Sequence, residues 1–298
     1  MPVIEYSSMC LNESNCRDKI IEAKSLVESN GFEFGVQIHN SIHRGLYDKL
    51  MEFKGKLKFS VHSPVFSKYF FNFANSNFEF LKKMADENIK YLDETGTDIF
   101  FFHGFFMTDR QIIHDMKNYR KTLLEGIGYE SSLNDSFIMN PDFFNTDIFF
   151  KYKKTFIENY KRFTELYPDH VIALENDFIG VGSGLQRPKE IIELIGNLWF
   201  DLGHFWCSSI LHEFDYYEKC DEIIEKKNIV GVHINHNFTR PNSDRERIRD
   251  SHAHLYEKSE QKLKPVLRKF LDKDSMIFTL EIVNGDIEDV KVLLDWLG

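Results

Sequence analysis

The chain has 298 residues, 42% hydrophobic and 28% charged, with only 7 Pro and 16 Gly. That composition excludes a disordered or fibrous chain and leaves room for one large domain or two ordinary ones. The net charge of −10 excludes broad electrostatic capture of nucleic acid or an anionic membrane, which Lys and Arg drive by neutralising phosphates.

A cluster of bound dications would reverse that sign locally, so one spot on an acidic protein can still attract a phosphate. Phe, at 29 residues, reads as core filling. Cys10, Cys16, Cys207 and Cys220 form no CxxC pair, and a chain of this size needs no disulfide staples, so reduced thiols are expected. Met1 to Tyr6 lacks a basic region leading into an apolar one, and no apolar run approaches the ~18 residues of a membrane span. No membrane partner and a cytoplasmic location are therefore expected.

In chain order, eight short apolar runs alternate with amphipathic stretches, the pattern of βα units feeding a parallel sheet. The predicted strands are Val3–Tyr6, Phe32–Ile38, Lys58–His62, Asp98–His103, His170–Glu175, Leu198–Asp201, Val230–Ile234 and Met276–Ile282. Asn12 or Asn15 caps a first helix through Ile20, Ile21 and Leu26 that stops at Asn30-Gly31. Asn77 precedes a helix through Leu81, Met84 and Ile89 ending near Gly96. Pro188 occupies a first helical turn before Ile191, Ile192, Leu194 and Ile195. Asp286 opens the last helix, with Val290, Val292, Leu293 and Trp296 as its buried face.

Eight such units with short strands fit a closed α/β (β/α)8 TIM barrel better than an open doubly wound sheet. No linker divides the chain, so one barrel domain spanning 1–298 is expected. The 72 residues from His103 to Glu175 are roughly twice what one βα unit of a ~250-residue barrel takes. An aromatic-rich lobe inserted at about 108–147, after the fourth strand, accounts for the excess.

Active sites of such barrels form at the C-terminal strand ends. The third predicted strand ends in His62 and the fourth in His103, the fifth in Glu175, and the sixth in Asp201 with His204 close behind. The seventh supplies His233 and Asn235, its loop carries Asp250 and His252, and the eighth ends in Glu281. One such residue is commonly a structural hydrogen-bonding group. Six consecutive strands ending this way gather charge whose burial costs several kcal/mol per group, and bound cations offset that cost. Imidazole mixed with carboxylate suits zinc, manganese or iron(II) and suits calcium poorly.

Asp201-Leu202-Gly203-His204 looks like the D-x-x-H motif, and Asp250-Ser251-His252 like the D-x-H motif, of the endonuclease IV group. The order and local context of the whole set resemble that group, AP endonuclease family 2, within the xylose isomerase-like TIM barrel superfamily. The resemblance runs from the second strand to the eighth. It implies up to three divalent ions, zinc first, with manganese or iron as alternatives. His62 and His103 would hold one ion, with Glu175 bridging to a second that Asp201, His233 and Glu281 complete. His204, Asp250 and His252 would hold the third.

In such a cluster a metal-activated hydroxide attacks a phosphodiester, and Glu175 and Glu281 are the carboxylates assigned to catalysis. Isomerases and epimerases of the superfamily need only the subset equivalent to Glu175, Asp201, His233 and Glu281. The full set of nine therefore points to phosphoester hydrolysis, with metal-dependent isomerisation or epimerisation of a sugar or sugar phosphate as the alternative. Abasic DNA, a smaller phosphoester and a sugar are the candidate substrates, and the net charge does not favour DNA. The segment Ser63-Pro64-Val65-Phe66-Ser67-Lys68 also lacks the Tyr and Asn with which related repair enzymes probe a duplex.

Arg240, Arg245, Arg247 and Arg249 crowd the loop between His233 and Asp250. Arg245 and Arg247, with Asn235, are the candidate substrate-binding residues. Gly180-Val181-Gly182-Ser183-Gly184 lacks the full G-x-G-x-x-G and reads as a flexible loop behind Glu175, not a dinucleotide site. Lys151, Lys153, Lys154, Lys161 and Arg162 read as a solvated helix face. His39, His43, His114, His212 and His254 have no ligand pattern of their own, and His236 suits a supporting or a surface role equally.

Overall fold

The computed structural model describes residues 1–193, 196–273 and 275–298. Eight strands form in it: β1 (Val3–Ser7), β2 (Glu33–Ile38), β3 (Lys58–Ser63), β4 (Ile99–Phe102), β5 (Val171–Glu175), β6 (Asn197–Asp201), β7 (Ile229–Ile234) and β8 (Ile277–Leu280). Each pairs in parallel with the next, and β8 closes on β1 to complete a barrel. The expected (β/α)8 architecture is the observed one. The last predicted strand, Met276–Ile282, is trimmed at both ends. Leu194 and Ile195, expected in the helix after Pro188, lie outside the described residues.

Side chains on a strand alternate between faces, and that alternation explains both the core and the site. Ile4, Val36, Val61, Phe100, Phe102, Leu174, Phe200, Val232, Ile234, Phe278 and Leu280 face outward into the layer of helices, where they are fully buried. The intervening positions face the barrel axis. Phe101, Ala173, Trp199 and Ile277 fill one side of the interior, with Phe101 stacked on Trp199 at a centroid separation of 3.8 Å. Across from them Glu5, Gln37, Ser60 and Thr279 are buried and joined by hydrogen bonds.

Helix ends follow the sequence signals in most places. Asn77 accepts from the Phe80 amide, and the same helix stops at Gly96, whose φ of +75° a residue with a Cβ rarely adopts. At the first helix Asn15 holds the capping position without a side-chain cap bond. Asn12 instead accepts from the amides of Ser14 and Asn15. Asp286 makes a reciprocal capping box with Asp289. Asp286→Ala should therefore cost about 1 kcal/mol, read as a lower urea midpoint with an unchanged slope; an unchanged midpoint would mean the box contributes nothing. Of the residues expected to bury that helix, Val290 and Leu293 are buried, while Val292 and Trp296 are partly so.

The segment 108–147 contains the helix Tyr119–Ile127 and a 3-10 turn, Pro141–Asn145. It is fastened to the barrel by backbone bonds from Phe70 to Ile112, His114 to Lys68 and Met139 to Ile179. Phe70, Phe106, Ile112 and Leu123 form a small core beneath it. The run from Gly180 to Gly184 is buried against this segment, which corrects the expectation of a flexible loop. Val181 donates to the Phe137 carbonyl and Gly182 accepts from Met107. A Cβ at Gly184 would sit 2.1 Å from the Phe105 ring, so these glycines serve close packing. The basic stretch lies on the helix Asp147–Leu166, with Phe156 and Tyr160 buried and Lys153, Lys154 and Arg162 paired to Glu193, Glu158 and Glu79. Among the described residues no helix is long and apolar enough to cross a membrane.

Candidate metal centre

The nine residues singled out at the strand ends meet at the C-terminal rim. His62, Glu175, Asp201 and His233 are inward positions on β3, β5, β6 and β7, and His103 and Glu281 directly follow β4 and β8. His204 lies one turn into the helix that follows β6, whose start Asp201 caps by accepting from the His204 amide. The cap and the proximity of the two residues thus have one cause. Asp250 and His252 arrive from the loop after β7, and His252 adopts a φ of +41°, a strained conformation of the kind found at functional sites.

The nine fall into three groups of ligand-type atoms: His62, His103 and Glu175; Glu175, Asp201, His233 and Glu281; His204, Asp250 and His252. His39 forms a further group with His62 and Glu281, and His254 another with Asp286 and Asp289, apart from the nine. Around a tetrahedral ion with bonds of about 2.0–2.1 Å, neighbouring ligand atoms lie ~3.3 Å apart. In the first group His62 Nε2 and His103 Nε2 are 3.1 and 3.4 Å from Glu175 Oε2. In the second, His233 Nδ1 is 2.7, 3.4 and 3.4 Å from oxygens of Glu175, Asp201 and Glu281. In the third, His204 Nε2 and His252 Nε2 are 3.3 and 3.7 Å from Asp250 Oδ2. Glu175 belongs to two groups, one through each oxygen.

Orphaned atoms make the same point. Both ring nitrogens of His62, Glu175 Oε2, Asp201 Oδ2 and Asp250 Oδ2 are buried without a hydrogen-bond partner among the described residues. His62 lies near Glu175 but off the hydrogen-bonding direction. Buried polar atoms are normally paired, and divalent ions in the three groups would satisfy one His62 nitrogen and each of these carboxylate oxygens. The ring nitrogens turned away from the centre do have partners: His103 Nδ1 on Asp177, His204 Nδ1 on the Asn176 carbonyl, His252 Nδ1 on the Glu281 carbonyl and His233 Nε2 on Gln37. Such outer bonds fix which nitrogen faces a metal.

Without bound ions the carboxylates act on the imidazoles. Burial works against a charged His204, but Asp201, Asp250 and Glu175 lift it to about 9. His233 is likewise held well above the ordinary range, against its own burial, by Glu281 and Glu175. His62 goes the other way, pushed well below by burial and by the neighbouring His39, His103 and His233. Burial raises Asp250.

Four participants were not named as site residues from the sequence. His39 directly follows β2, so the strand-end rule was sufficient to find it; its Nε2 is 3.3 Å from Glu281 Oε1, and the Ser41 amide donates to its Nδ1. That corrects its reading as a histidine without a ligand pattern. Asp177 lies two residues past Glu175 and orients His103. Glu5 and Gln37 sit mid-strand, inside the barrel. His43, His114, His212 and His254 are engaged elsewhere, with the Leu46 amide, the Ser67 carbonyl, Gln186 and Asp289. His236 is buried and bonded to the Glu257 carbonyl.

A cavity of about 240 Å³ opens over the centre, its floor including His62, His103, Asp250 and Glu281. Met116, Tyr119, Arg120 and Phe137 of the 108–147 segment form part of its wall, facing Phe70, Phe106 and Phe178. Arg245 and Arg247 are absent from that wall; Arg245 pairs with Glu213 and Arg247 with Asp244. Both arginines are surface-exposed in these pairs and lie outside the cavity lining. Asn235 is also outside the wall, buried beside Asp250 and His252.

No family model matches the chain, and no curated protein matches it. Solved structures do. A D-tagatose 3-epimerase-like protein is 19% identical, with 99% of this chain and 96% of that one covered and a TM-score of 0.57. A xylose isomerase domain-containing protein from Salmonella typhimurium is 15% identical, covering 97% and 90%, with a TM-score of 0.56. Endonuclease IV from Thermus thermophilus is 14% identical, covering 100% and 99%, with a TM-score of 0.51. At such identities the likeness establishes a shared fold, the (β/α)8 barrel common to these epimerase-like, isomerase-domain and endonuclease structures.

Proposed function

We propose that the chain is a metal-dependent hydrolase of a small phosphoester, holding up to three divalent ions, zinc first among them, in the three groups described. The observation that carries this reading is the number of converging ligands: nine side chains, several with orphaned buried atoms, where a one-metal isomerase needs four. When bound, the ions would supply a water of lowered pKa and positive charge for the phosphoryl oxygens.

The chain's own residues do the rest. Glu175 faces two groups and keeps them adjacent. Glu281 turns Oε1 to His39 and Oε2 to His233 and His252, which fixes its rotamer. Met116, Tyr119, Arg120 and Phe137 of 108–147 narrow the cavity, and exposed Arg120 would meet an anionic substrate at its outer edge.

Size argues for a small substrate over a duplex. A cavity of about 240 Å³ falls just below the ~300–1,000 Å³ common for small-molecule pockets, the scale of a monosaccharide and not of a duplex. A flipped nucleotide also needs an open face. The same enclosure favours a second reading, isomerisation or epimerisation of a sugar at Glu175, Asp201, His233 and Glu281. Four buried unpaired thiols suit a reducing, cytoplasmic setting for either.

Elemental analysis of the purified protein, with turnover of a small phosphodiester and of ketohexoses, separates the two. Three ions per chain and phosphodiester cleavage that His252→Ala abolishes are expected. One ion per chain, with sugar turnover untouched by His252→Ala, would overturn the hydrolase reading.

A further inference from the structure

Beneath the centre, β7, β8, β1, β2 and β3 line a polar half of the barrel that no ligand set requires. Ser60 Oγ donates to Glu5 Oε2 at 2.7 Å, and Thr279 Oγ1 donates to the same oxygen at 3.0 Å. Gln37 Nε2 donates to Thr279 Oγ1 at 3.4 Å, and Gln37 Oε1 lies 3.0 Å from His233 Nε2. All five side chains are buried.

We propose that Glu5 and Gln37 are positioning residues for His233, holding its imidazole so that Nε2 carries a proton and Nδ1 is the atom offered to the metal centre. The inference rests on the metal-centre reading above. Its logic is directional. Glu5 Oε2 accepts from both hydroxyls, whether the carboxyl is ionised or carries a proton on Oε1, so the one hydroxyl proton of Thr279 is committed to Glu5. The Thr279 oxygen must then accept, which turns the Gln37 amide nitrogen toward it and the Gln37 carbonyl toward His233. Only a donating Nε2 completes the chain. Nδ1 is left facing Glu175, Asp201 and Glu281.

A second observation is independent of these bonds. A Cβ on Gly35 would lie 3.0 Å from Glu5 Cγ and 3.1 Å from its Oε1. Strand β2 thus lacks a side chain where the Glu5 carboxylate needs room. The opposite half of the interior is filled by Phe101 and Trp199, so space alone did not require a charged group here. A buried carboxylate costs several kcal/mol unless it is paired or hydrogen-bonded, and the chain of donors is the compensation.

The test uses full-length protein stripped with chelator and titrated with Zn²⁺ against a chromophoric competitor, for the wild type, Gln37→Met, Gln37→Glu and Glu5→Gln. Removing an outer partner of a ligating histidine typically weakens a metal 10–100-fold. Gln37→Met should weaken one of the bound ions by that factor and leave the others unchanged, while Gln37→Glu, which keeps an acceptor, should recover most of the loss. Glu5→Gln can donate to Thr279 and reverse the chain, so it should also weaken the same ion.

Nitrogen-15 spectra of the histidines give a readout that needs no bound metal. Metal-free His233 is charged and carries both protons, so the signature is a slowly exchanging, hydrogen-bonded Nε2 proton in the wild type that becomes fast-exchanging and loses its hydrogen-bond shift in Gln37→Met. Wild-type zinc affinity in Gln37→Met, or equal losses in Gln37→Met and Gln37→Glu, would overturn the proposal. A wild type that takes up no zinc would instead overturn the metal-centre reading, and the Nε2 signal would then decide the positioning role alone. Should Gln37→Met fail to fold, the near-isosteric Glu5→Gln carries the same comparison.

Discussion

On the proposed three-ion reading, Glu175→Ala is expected to lose the ion of the first group, weaken that of the second and lower turnover by about a thousandfold. The side chain is fully buried, with Oε1 against His233 and Oε2 against His62 and His103. Without it the first group keeps two imidazoles, too few to hold zinc, and the second loses one of four ligands. The group His204, Asp250 and His252 does not use Glu175 and should keep its ion. Charge stabilisation by a metal is worth several kcal/mol in the transition state, and ~4 kcal/mol corresponds to a factor of ~10³ at 1.36 kcal/mol per decade. Elemental analysis and kcat are measured together. Retention of all three ions would remove Glu175 from the ligand set, and full activity with fewer ions would detach the chemistry from the cluster.

Glu5→Gln should change how stability depends on pH. Burial pushes the Glu5 carboxyl up to about 7, against the lowering effect of the bonds from Ser60 and Thr279. A raised folded-state pKa means that the folded chain binds the proton more tightly than the unfolded chain. The contribution is complete below the unfolded value near 4.5, declines as pH rises from there to about 7, and is gone above that. The difference of the two values corresponds to about 3 kcal/mol at 1.36 kcal/mol per unit.

The neutral glutamine has no such titration. In chelator-treated protein its stability relative to the wild type should climb by about 3 kcal/mol between about pH 4.5 and 7.5, read from urea midpoints. Parallel curves for the two proteins would show that Glu5 is ionised throughout the folded state's range, and the burial argument would fail.

The strand ends were legible because two regularities act together. Alternation along a strand sends every second side chain to the axis, so Phe101 and His103, Ala173 and Glu175, or Trp199 and Asp201 each pair a filler with a rim residue. Sequential parallel pairing then brings all eight ends to one face. The motifs Asp201-Leu202-Gly203-His204 and Asp250-Ser251-His252 needed the fold to matter, because His204 is carried by a helix and His252 by a loop with a left-handed backbone. His39 follows the same strand-end logic at β2, whereas Asp177 does not, since it orients His103 from beyond the end of its strand.

Taken alone, the chain's pattern of apolar runs determined the eight strands, their order and the six ligand-type residues at their ends, because periodicity and position along a strand are local properties; His204, Asp250 and His252 came from the D-x-x-H and D-x-H motifs of the resemblance. Only the tertiary structure decided that 108–147 walls the cavity, that Arg245 and Arg247 lie outside its lining beside Glu213 and Asp244, and that Glu5 and Gln37 bond in series beneath His233. These depend on the route of a long connection across the barrel mouth and on distances between strands far apart in sequence. Neither is encoded in the spacing of residues along one segment.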